Sequence, residues 1–187
     1  VGIRDLFRKK ISSDEFALAC MEMNKMVTRL LFSNYSSLFV YKNDLDKLLA
    51  ITECKYLSFW VLRRSLNDDI LFDMYNINLK DSKMSLAEFK EQLDIRYKTY
   101  DVAFKEFTDA KNKDNPSSQG MRIGQILINH IGNLHLLKQG IMIDEQDKDI
   151  KNIFLSFTYL MESIKMADSV VQSVKTKYRI EPFLREA

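Results

Sequence analysis

The sequence predicts an all-α protein, an antiparallel bundle of four to five long helices. Three observations carry this. From Ile150 to Tyr178 apolar residues recur at steps of three and four without a break, at Ile150, Ile153, Phe157, Leu160, Ile164, Ala167, Val171, Val174 and Tyr178. That is a heptad seam, which only a helix gathers on one side. A second stripe of the same period runs Leu86, Phe89, Leu93, Tyr97, Tyr100, Phe104, Phe107. Finally, the 187 residues include only five glycines and two prolines, the residues that most disfavour helix. At ~1.5 Å per residue the Ile150–Tyr178 seam spans roughly 43 Å, enough to cross a domain whose radius of gyration is near ~16 Å. It is therefore expected to be the spine of a single domain covering residues 1–187.

Taken in order, residues 1–11 read as an amphipathic N-terminal arm. A helix there would put Ile3, Leu6 and Phe7 on one side and spread Arg4, Arg8, Lys9 and Lys10 over the rest. Contact of residues 3–10 with a membrane surface is the sharper reading, but three apolar anchors bind weakly without a second signal. The expectation is an arm that closes one end of the bundle. Ser12 and Glu15 have capping-box spacing ahead of a stripe formed by Phe16, Cys20, Met23, Val27 and Leu30. The polar run Ser33–Ser37 should end that helix, and Leu38–Tyr41 reads as loop.

Asn43 is a suitable N-cap for a second helix. Its apolar residues, from Leu45, Leu48, Leu49 and Ile51 through Cys54, Tyr56, Leu57, Phe59, Trp60, Val61 and Leu62, point almost all round the axis. A helix with so little polar face is expected at the centre of the bundle. Whether the pattern continues past Asn67 through Ile70, Met74 and Ile77 as one helix or two is open at this level. Asn76–Lys83 reads as loop. Ser85 with Glu88 forms a second capping box before the Leu86–Phe107 stripe, whose outer side alternates in charge. Lys111–Ser118 is the clearest loop. A fourth helix is expected from about Ser118 to Lys138, stopping at Gly140, and an acidic lead-in at 144–149 precedes the spine. Residues 179–187, with Pro182, form a C-terminal tail.

Composition narrows function mainly by exclusion. A net charge of +2 gives no strong field for nucleic acid or acidic membranes. Cys20 and Cys54 lie inside apolar helical patterns, not in a metal or redox pair, which suits a reducing, cytoplasmic setting. The two histidines, His130 and His135, stand roughly 140° apart around a helix, so one metal ion cannot easily take both. Leu127 and Gly132 occupy the positions where Glu-x-x-His di-iron motifs need glutamate. No serine sits in a G-x-S-x-G context, and Gly120 and Gly124 flank Met-Arg-Ile rather than a phosphate loop. No metal, cofactor or catalytic residue is therefore expected.

One polar stripe on the fourth helix stands out: Arg122, Gln125, Asn129 and Asn133, with His130 beside it. It reads as a solvent face or, if buried, as one wall of a ligand groove. Arg122 with His130 resembles the arrangement in helical-bundle ribonucleases of the HEPN type, which pair an arginine and a histidine on one helix. Their motif holds the two closer together than the seven residues found between them here, and nothing else in the chain is similar. The leading expectation is a non-enzymatic protein that works by protein–protein contact, as a homodimer or with another chain. The early part of the spine, where Phe154 and Met161 widen the seam, and the later part, where Asp168 and Lys175 replace them, are expected to split between core and partner. The alternative is a small-ligand or hydrolytic, ribonuclease-like bundle with its site around Arg122, Asn129 and His130.

Overall fold

The computed structural model describes residues 9–36, 41, 43–80, 82–110, 124 and 146–180. Among these residues five helices pack on one another: α1 (Ser13–Ser36), α2 (Asp44–Arg63), α3 (Asp68–Leu79), α4 (Leu86–Ala110) and α5 (Gln146–Lys177). Two three-residue strands, β1 (Lys9–Ile11) and β2 (Tyr178–Ile180), pair in parallel with Lys9 opposite Tyr178 and Ile11 opposite Ile180. The fold is the all-α bundle that the periodicity predicts. No described helix is long and apolar enough to cross a membrane.

The starts of α1 to α4 are fixed by local chemistry. At α1 the Ser12 amide donates to the Glu15 carboxylate (2.9 Å) and the Glu15 amide donates back to Ser12 Oγ (3.1 Å). This reciprocal box satisfies two amides that a helix N-terminus leaves without partners. Ser85 and Glu88 repeat it at α4. Asn43 Oδ1 accepts from the Asp46 amide (2.9 Å) and so caps α2. Asn67 Oδ1 accepts from the Ile70 amide (3.1 Å) and caps α3, which settles the question left at Asn67: α2 and α3 are two helices. The loop expected at Asn76–Lys83 starts later, because α3 runs to Leu79, where Ile77 and Leu79 pack on the core. Packing outweighs the turn preference of Asn76 and Asn78.

α1 and α5 run antiparallel. The Tyr35 hydroxyl near the end of α1 donates to the Ser156 carbonyl early in α5 (2.7 Å), while β1 and β2 join their other ends. Lys9–Ile11 is thus strand, not the helical arm expected. α1 packs on α2 through a buried polar contact in which Asn24 Nδ2 donates to Ser58 Oγ (2.7 Å). Thr28 Oγ1 lies 2.8 Å from the same oxygen, so Asn24 Nδ2 and both hydroxyls of this inward patch have partners. Where α2, α3 and α4 meet, Phe59, Tyr75 and Phe89 sit edge to face with centroids 5.4–5.6 Å apart, a preferred aromatic geometry. On α5 the seam residues Leu160, Ile164, Ala167 and Val171 are buried, with Phe157 and Val174 packed at its margin. Tyr178, expected to end the seam, belongs to β2 instead.

Candidate functional site

α2 has two apolar faces. At ~100° per residue, Ala50, Cys54, Leu57 and Val61 fall on one, and Leu45, Leu48, Leu49, Tyr56, Phe59 and Trp60 on the other. The first is buried along its length. The second is covered only from Glu53 onward, where α4 crosses. There Phe89 packs on Tyr56 and Phe59, and Tyr100 and Phe104 pack on Trp60. The Trp60 indole N–H donates to Asp101 (2.8 Å), and Arg64 lies over the Phe104 ring.

Before that crossing no described helix covers the face. Leu45, Leu48 and Leu49 are 63%, 58% and 49% exposed. The central, all-round-buried helix expected from the sequence is therefore only half right. The N-terminal two turns carry a leucine strip open to solvent, bounded by Asp46 and Glu53 on one flank and Asp44 and Lys55 on the other. The sequence held a signal for this. Asp44, Asp46 and Lys47 interrupt the apolar run on the remaining sides of those turns, whereas nothing charged interrupts Tyr56–Leu62.

The electrostatics at the crossing are specific. Arg96 of α4 forms a two-pronged ion pair with Glu53, its Nε donating at 2.8 Å, and its guanidinium lies 4.2 Å from the Tyr56 ring centre. Glu53 is thereby neutralised. Lys55 is part-buried, burial lowers its ammonium below the usual lysine range, and no described residue offers it a carboxylate. The Asp44 side chain also has no described partner.

A second concave feature lies between α3 and α4, a cleft of about 550 Å³. Its floor is Tyr75 and Tyr97, whose hydroxyls are 3.3 Å apart, and its rim carries Arg63, Asp68, Asp69, Lys90 and Asp94. The rim cations are already engaged: Arg63 pairs with Asp101 (3.2 Å) and lies over Tyr97, while Lys90 lies over Phe72. Burial raises both tyrosine hydroxyls, so they stay protonated. Burial also lifts the Cys20 thiol to about 12 and the Cys54 thiol further, so neither supplies a thiolate. Among the described residues no three His, Cys, Asp or Glu side chains gather as a metal site.

The polar stripe of Arg122, Gln125, Asn129, His130 and Asn133 lies outside the described residues, as do His135, residues 1–8, Leu38–Val40, the 111–118 loop, the tail from 181 and the side chain of Phe154. Of the expected fourth helix Gly124 alone is described, as helical and buried. In the later part of the spine Asp168, which is exposed, and Lys175 both bond to Ser65. Ser65 Oγ donates to Asp168, and Lys175 Nζ donates to the Ser65 carbonyl (2.9 Å). No protein-family model, curated protein or solved structure matches the chain.

Proposed function

We propose that this protein acts by binding another protein chain, and that the N-terminal half of α2 is the contact surface. One observation supports the reading above the rest: Leu45, Leu48 and Leu49 extend, in line, the same face that α4 covers over Tyr56, Phe59 and Trp60. Single exposed apolar residues such as Leu18, Met26, Ile95 and Val102 are ordinary on a protein surface. Three leucines on one face, at the spacing by which helices recognise helices, are the pattern of a docking strip. The charged flanks keep such a strip soluble until a partner arrives.

The test compares the wild-type chain with the Leu45→Asp, Leu48→Asp double variant as baits in extract of the source cells, after circular dichroism shows equal helix content. A protein retained by the wild type and lost by the variant is the expected result. Identical retention by the two baits would overturn the reading.

A further inference from the structure

We propose that the partner seated on the leucine strip of α2 is a second copy of this chain, docked antiparallel with its two-fold axis passing level with Leu49 and Ala50. The inference rests on the contact-surface reading above and adds the identity and direction of the occupant.

Two observations select this arrangement. The first is steric. α4 crosses the strip's face from Glu53 onward. A copy in the parallel sense would bring its α4 to the same level as the first, where the two compete for space. In the antiparallel sense the overlap runs from Asp44 to Lys55, the bare half and the edge of the crossing, and the two α4 helices lie at opposite ends of the contact.

The second is charge. Asp44 and Lys55 share one flank of the strip, separated along the axis by roughly 16 Å at ~1.5 Å per residue. Within one chain they cannot meet, and neither has a described partner. In an antiparallel two-fold pair a flank runs against its own reversed copy. Asp44 of each protomer then comes within side-chain reach of Lys55 of the other, twice per dimer. On the opposite flank Asp46 approaches Glu53, and that carboxylate is already held by Arg96. Each strip thus finds leucine opposite leucine, and Asp44 finds Lys55 opposite it. Lys55, part-buried with no counter-charge among the described residues, gains one.

Sedimentation velocity on the full chain across micromolar concentrations tests the occupant. A reversible dimer is expected, and Leu48→Asp should weaken it by at least about tenfold. A monomer throughout overturns the self-docking inference, while the extract comparison still decides whether the face serves some other protein. Charge exchange tests the direction. Asp44→Lys and Lys55→Glu should each weaken self-association, and mixing the two variants should restore a dimer close to wild-type strength, because each mixed pair again sets opposite charges together. Mixing also separates docking from folding, since it alters neither variant's own fold. Homodimers unaffected by either change, or no recovery on mixing, overturn the antiparallel register.

Discussion

Both halves of α2 carry apolar residues on the same face, yet in one half that face is core and in the other it is surface. From Cys54 to Leu62 nearly every side chain is buried, including Ser58. From Leu45 to Leu49 the leucines face water. What differs is cover. The second half lies between α1 on one side and the aromatic residues of α4 on the other, and the first half has α4 nowhere over it. Apolar content therefore sets how much of a helix could be buried, and the neighbouring helices set which part is.

Identical substitutions in the two halves give the sharpest test of that difference. Leu57→Ala removes a fully buried side chain and should cost about 2–5 kcal/mol in urea unfolding, the range for a cavity in a packed core. A loss below about 1 kcal/mol would mean the C-terminal half is not close-packed. Next in size is the boundary itself. Arg96→Met leaves the part-buried Glu53 carboxylate without its partner and should cost about 1.5–3 kcal/mol. It should also raise the hydrogen-exchange rate around Tyr56, where the guanidinium stacks.

Smaller still is the cap that starts the covering helix. Ser85→Ala should cost about 1 kcal/mol. Here pH gives a second reading. Hydrogen bonds from the Ser85 backbone and side chain hold the Glu88 carboxyl below the usual range. A carboxyl depressed in the folded state adds stability above its unfolded value, and that stability fades as pH falls through the folded one. Glu88→Gln should therefore flatten part of the acid side of the stability–pH curve and leave the neutral side's slope unchanged. The smallest effect belongs to the bare half. Leu48→Ala, measured dilute enough to keep the chain monomeric, should shift stability by no more than about 0.5 kcal/mol.

Much of the fold was legible because it is written locally. Both capping boxes, the Asn43 cap, the α4 stripe and the later part of the α5 seam follow from residues within a turn or two of one another. The Asn67 break stayed open at that level, although a signal for it was present. Asn67 followed by Asp68 and Asp69 is a helix-start pattern, and it was obscured by the apolar period continuing through Ile70 and Met74. The β1–β2 ladder was not legible. Three residues are too few for alternation to register, and the partner lies at the far side of the chain. The bare strip was misread for a related reason: periodicity marks a face as apolar and is silent about what lies opposite. The stripe from Arg122 to Asn133 falls outside the described residues, so its two readings stand as the sequence leaves them.

The short ladder between β1 and β2 has a mechanical consequence. Because the strands are parallel, a pull entering ahead of Lys9 and leaving beyond Ile180 acts along both strands in opposite senses. Such a load shears all the rungs at once instead of opening them one at a time. The bundle is thus clasped at the point where tension on the chain would first arrive, and the helices feel that tension only after the clasp has slipped.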